Sequence, residues 1–252
     1  MPNPLSRVAR NRKPTFTPDA LFIYPDLGKL VMTVIGYGAA TDVLWTHVLV
    51  DLLGSRAKVA IAMFSAIVSA PAQREAIFAA AGAKLKPVDL ALFRAVQNAT
   101  EGARGRRNEF AHHLWGLVYG LDNALVLMDP KDSTQHRIRA NATARKVRGQ
   151  LMRGQPQMPL HDFIQGIDPD NSKVMVWKAP DLIEAVAVAR EAHATVKDLL
   201  ALLSGSAQPD PMRRALLARH YVAQAHKKIV ERTPQALPQQ RRKTARKSKR
   251  AL

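Results

Sequence analysis

The chain has 252 residues, 47% of them hydrophobic, with no cysteine and a formal net charge of +18. That apolar fraction suffices for one domain with a full core, or two small ones, and argues against a chain that stays unfolded. The missing cysteines exclude disulfides and thiolate metal sites, which suits a reducing compartment.

Residues 1–25 hold Pro2, Pro4, Pro14, Pro18 and Pro25 among scattered arginines, with no secretory apolar core, and read as an extended basic arm. Asp26 is placed to cap a helix. Behind it Leu27, Leu30, Val31, Val34, Gly38, Thr41, Leu44, Trp45, Val48 and Leu52 recur at helical steps, giving about seven turns with one apolar stripe. Asp42, His47 and Asp51 interrupt this stretch, so it reads as a core helix of a cytoplasmic protein rather than a membrane span. Gly36 and Gly38 leave a thin spot where another helix can approach closely. Gly54 ends the helix and Ser55 caps the next. Residues 56–69 are small or apolar and predict a helix buried on most sides. Pro71 and Pro87 open two more, the second running toward Arg104. The first 105 residues thus read as an antiparallel helical bundle.

Residues 104–116 concentrate polar chemistry: Arg104, Arg106, Arg107, Asn108, Glu109, His112 and His113, closed by Trp115 and Gly116. Beyond them, residues 117–119 and 124–128 flank a Gly/Asp/Asn turn and predict a β-hairpin, which Asp129-Pro130 stops. Residues 131–172 lack a clear period and read as a long loop or short irregular helices. Residues 173–177 alternate as a third strand. Leu182, Val186, Ala189, His193, Val196, Leu200 and Leu203 then stripe an amphipathic helix that Gly205 ends. A last helix is predicted over 211–232. Arg241, Arg242, Lys243, Arg246, Lys247, Lys249 and Arg250 form a low-complexity run that reads as unfolded when free.

The expected fold is therefore mainly α. An arm (1–25) precedes a helical domain (26–205) with a small β-hairpin or three-strand insertion at about 117–178, and a basic tail (206–252) follows. Residues 204–252 carry 13 Lys/Arg against two carboxylates, a net +11, while residues 1–25 add +3 and residues 26–203 only +4. Charge of this kind at the ends favours polyanions, nucleic acid above all.

Arg107, Asn108 and His112 have the spacing Arg-polar-x-x-x-His. On these residues the chain resembles HEPN-domain proteins, helical bundles marked by an Arg, a polar residue directly after it, and a His a few positions on. His113, Leu114, Trp115 and Gly116 follow as in a group of bacterial helical proteins of that kind, and the likeness extends to about residue 203. The resemblance implies RNA binding and a metal-independent endoribonuclease of toxin or defence type, needing no cofactor. It also implies a homodimer in which two motifs meet, with room for an antitoxin-like partner.

The residue types fit that chemistry. Cleavage by a 2′-hydroxyl needs a base for its proton and an acid for the leaving 5′-oxygen, and imidazole serves both with an unperturbed pKa of about 6.5. A guanidinium binds the charged phosphorane in a planar fork. Asn108, four residues before His112, can orient the ring on a helix. Arg107 and His112 are five apart, about 140° around an ideal helix, so one copy serves one phosphate only after a helix break or with a second subunit. Gly102 and Gly105 offer a place for such a break.

The same residues also read as a polar helix junction. Arg107 can pair with Glu101 or Glu109, His113 with Glu109, and Asp42 with the central arginines, so Asp42, Glu109 and His113 are supporting residues. Arg104 and Arg106, with the seven tail cations, are the expected nucleic-acid contacts. Trp115 reads as a packing anchor. The eight histidines show no zinc spacing, and neither a phosphate loop nor a nucleophile elbow is present.

Overall fold

The computed structural model describes residues 2–54, 57–153 and 168–232. The chain is mainly helical with a small antiparallel sheet. It divides into two compact units, one of Met1–Gly38 with Ala103–Arg190, the other of Ala39–Gly102 with Glu191–Leu252.

The first unit holds five strands: β1 (Asn3–Pro4), β2 (Pro14–Phe16), β3 (Leu114–Val118), β4 (Ala124–Met128) and β5 (Met175–Lys178). They are ordered β1-β5-β4-β3-β2, every pair antiparallel. The predicted hairpin and third strand form the middle of this sheet, the hairpin starting three residues earlier than expected. Gly120 and Asn123 supply the positive φ angles of its turn, 72° and 51°. All five residues of β4 are buried because both sheet faces are covered. Leu125 and Leu127 meet Phe110, Trp115, Trp177, Val31, Val34 and Leu182. Ala124, Val126 and Met128 point the other way, toward Leu5, Val118, Val174 and Val176.

The N-terminal residues are not an extended arm. They carry β1, α1 (Leu5–Val8), β2 and α2 (Ala20–Ile23), and the two strands form both edges of the sheet. Pro4 and Pro14 are tolerated there because an edge residue can do without its N–H in the ladder. Leu5 is fully buried and anchors the segment.

Three long helices contribute residues to both units: α3 (Pro25–Leu53), α6 (Pro87–His112) and α8 (Ala179–Leu203). By length and composition α3 is also apolar enough to cross a membrane. Its Val31 and Val34 nevertheless lie in the core of the first unit and its Val48 and Leu49 in that of the second.

Residues 131–172 do not form a loop throughout. Asp129 caps α7 (Pro130–Met152), its carboxylate accepting from Lys131 N at 2.7 Å, and Pro130 takes the first helical turn. Helical periodicity fails as a signal here because α7 buries no residue. Residues 154–167 lie outside the described residues.

The second unit adds α4 (Ala57–Ser65), α5 (Ala70–Lys84), α9 (Pro209–Ala218) and α10 (His220–Arg232). Val48, Leu52, Ile77, Leu92, Phe93, Val96, Val196, Leu199, Leu216 and Val222 make its core. The expectation that 56–69 is buried on most sides is corrected, since Val59, Met63 and Val68 are exposed. The single helix predicted over 211–232 is broken at Arg219, whose backbone is extended. The Arg219 guanidinium reaches Glu191 and, at 2.5 Å, Asp198. Burial works against its charge, but the two carboxylates outweigh this and raise its pKa. Arg213 similarly makes a forked pair with Asp89 at 2.8 and 3.1 Å. Residues 206–232 therefore belong to a folded unit, not to a tail.

Candidate functional site

The motif lies on the last turns of α6, within the first unit. Gly102 and Gly105 are accommodated inside a continuous helix, so the break that would turn Arg107 toward His112 is absent. His112 is the final residue of α6 and is exposed. Arg107 is half-buried on another face. No hydrogen bond joins the two among the described residues.

A glycine positions Arg107. A Cβ built on Gly38 of α3 would lie 2.3 Å from Arg107 Cγ and 2.8 Å from its Cβ, so the arginine stem occupies the space residue 38 leaves empty. Gly36 serves no such purpose, having nothing within 4 Å of the equivalent point. Arg107 Nη1 donates to Asn108 Oδ1 at 2.9 Å. Asn108 thus engages the arginine, where the sequence suggested the histidine. Arg107 Nε is buried without a hydrogen-bond partner among the described residues, an uncompensated donor in a half-buried cation.

The remaining motif residues divide between packing and pairing. Arg106 pairs with Glu109 at 3.1 Å and lies over the Trp177 ring, 4.7 Å from its centroid. Phe110 stands edge-on to both Trp115 and Trp177, at 5.3 and 4.8 Å between ring centroids. Trp115 Nε1 donates to the Phe110 carbonyl at 3.0 Å, which places Trp115 in the core as expected. Glu109 is spent on Arg106, and the His113 side chain faces Asp129 instead, Nε2 to Oδ2 3.9 Å. Arg104 is half-buried on α6. Asp42 belongs to the second unit, where its backbone carbonyl accepts from Thr46 Oγ1 at 3.2 Å. The tail cations Arg241, Arg242, Lys243, Arg246, Lys247, Lys249 and Arg250 lie outside the described residues.

One end of α6 thus presents an exposed imidazole next to a second, half-buried one, with a held guanidinium on a different face. Imidazole and guanidinium are groups suited to proton transfer and to holding a phosphate, and a single copy carries them on different faces of α6. No group of three or more His, Asp or Glu suited to a metal ion occurs among the described residues.

Sequence reasoning noted the cations of residues 131–148 but missed that one continuous helix, α7, carries them. Asp129-Pro130 is a helix start as much as a strand stop, and 131–148 is rich in Ala, Arg and Lys, which favour helix without any apolar stripe. Comparison with protein-family models, curated proteins and solved structures finds no match to this chain.

Proposed function

We propose that the protein is an RNA-binding, HEPN-like cytoplasmic homodimer that cleaves RNA without a metal, as toxin or defence ribonucleases do. The observation that carries this reading is the presence, on the last turns of one helix, of an exposed His112 and of an Arg107 whose guanidinium is only partly satisfied. Because one copy keeps these groups on different faces, a two-fold axis near the end of α6 is needed to complete the site. Arg107 of one subunit then holds the phosphate against the two His112 rings. One ring takes the proton of the 2′-hydroxyl as O2′ bonds to phosphorus. The other protonates O5′ as the P–O5′ bond breaks, leaving a 2′,3′-cyclic phosphate and a 5′-hydroxyl. The basic residues 241–250 add non-specific affinity for the backbone.

A second reading is a non-catalytic dimer or scaffold whose basic tail tethers it to nucleic acid. It is favoured by the Arg107–Asn108 bond, which uses part of the guanidinium internally. Labelled RNA incubated in EDTA with wild type and with His112→Ala separates the two. Cleavage by wild type alone, with cyclic ends, supports the ribonuclease. Equal inactivity with retained RNA binding supports the scaffold. Wild type that stays monomeric at micromolar concentration with RNA present, yet still cleaves, would rule out the shared site.

A further inference from the structure

We propose that α7 is a sequence-independent binding surface for the phosphodiester backbone of double-stranded RNA, on a different element from Arg107 and His112. The inference rests on the RNA reading above but not on cleavage.

The helix runs for 23 residues and buries none of them. It carries Lys131, Arg137, Arg139, Arg145, Lys146 and Arg148 against one acid, Asp132, and all six cations are exposed. Its net charge of +5 exceeds the +4 of residues 26–203 as a whole, so the remainder of that stretch is slightly acidic. The charge is sorted as well as concentrated. At 100° per residue, the half-buried side chains of Asp132, Ser133, His136, Ala140, Thr143, Val147 and Gln150 fall within an arc of about 100°, and all six cations fall outside it. Asp132 is taken by Lys173 at 2.5 Å, leaving the outer face purely cationic. Arg137, Arg145, Lys146 and Arg148 make no ion pair among the described residues.

An ordinary solvated helix mixes both signs and gains from i,i+4 pairs. This one forgoes them and accepts like-charge repulsion between Arg145, Lys146 and Arg148. A polyanion relieves that repulsion and gives up its condensed counterions. From Lys131 to Arg148 the cations span about 25 Å of helix axis, enough to meet several phosphates along a duplex. No Phe, Tyr or Trp lies between residues 130 and 152, so unstacked single-stranded bases find no platform there. A membrane-surface helix needs a broad apolar face to insert; between Lys131 and Arg148 Ile138 is the one large exposed apolar side chain, and Leu151 and Met152 lie beyond the cations at the end of α7.

The test uses the full chain and a triple variant, Arg145→Ala with Lys146→Ala and Arg148→Ala, which keeps good helix formers at exposed positions. A charge-matched control carries Arg214→Ala, Lys227→Ala and Lys228→Ala. Binding of a short fluorescein-labelled RNA duplex is followed by anisotropy over a range of salt. The α7 variant should bind about 10–100-fold more weakly at physiological salt, with the log–log salt slope reduced by about 2–3. The control should stay near wild type. Wild-type binding that survives in the α7 variant overturns this inference and leaves the RNA reading standing. A wild type that binds no RNA overturns both. Equal losses in variant and control, equal dependence on α7 for a single strand, tighter binding to a DNA duplex, or α7-dependent capture by phosphatidylserine vesicles without an RNA effect would each overturn the assignment.

Discussion

Arg107 can lie against α3 because residue 38 has no side chain. The thin spot at Gly36 and Gly38 was legible in the sequence, but the residue that fills it was not, because helix phase alone does not say which side chain crosses to which neighbour. The two glycines should therefore respond with opposite signs. Gly38→Ala forces a contact of 2.3 Å with Arg107 Cγ and is expected to cost about 1–3 kcal/mol, with any cleavage activity lost as Arg107 shifts. Gly36→Ala meets open space within the same helix and should stabilise by about 0.5–1 kcal/mol. Urea unfolding midpoints of the two variants measure this, and equal effects would show that helix propensity, not the contact, governs position 38. Trp115 was read correctly as an anchor because a large aromatic beside an apolar run has few other uses. His113 was assigned the wrong carboxylate because Glu109 is near in sequence, whereas Asp129 arrives only through the hairpin.

At the level of elements, those with an apolar period were found with close bounds: α3 and α8 are where the stripes predict, and Gly54 and Gly205 end their turns with positive φ. The two short edge strands, β1 and β2, were not found. Nothing in residues 3–4 or 14–16 announces a strand, since two or three residues carry no alternation, and prolines argue against one. Their role is to close the edges of β5 and β3. Removing residues 1–16 should expose both edges, together with the apolar face vacated by Leu5, and make the unit self-associate through its strands. Sedimentation of that truncation at increasing concentration is the measure; a monodisperse, fully folded product would mean that β3, β4 and β5 suffice.

For the molecule as a whole, the division of charge and core differs from what composition suggested. Leu216 and Val222 are buried in the second unit, so the basic C-terminal region contains part of a core. A truncation after Gly205 should unfold this unit, because it removes those side chains and the Arg213 and Arg219 pairs with Asp89, Glu191 and Asp198. A truncation after Arg232 removes none of the core side chains named for this unit and should leave the thermal midpoint within about 1–2 °C of wild type. It would remove seven of the 13 cations in residues 204–252, and polyanion affinity should fall with them. Circular dichroism melts of the two truncations test the boundary, and matching melts would return it to residue 205.

The absence of any buried residue in α7 has a kinetic side. A helix that contributes nothing to a core can melt without disturbing one, so its order depends on its own capping, propensity and charge. Its backbone amides should exchange with deuterium much faster than those of α3 or α8, and like charge along its outer face should speed them further at low salt. When a polyanion lies along that face, opening the helix also means releasing the ligand, and exchange should slow across residues 131–148. Protection confined to that segment would identify the bound surface without any substitution, and would mark α7 as a part of the protein whose order is set by what it holds.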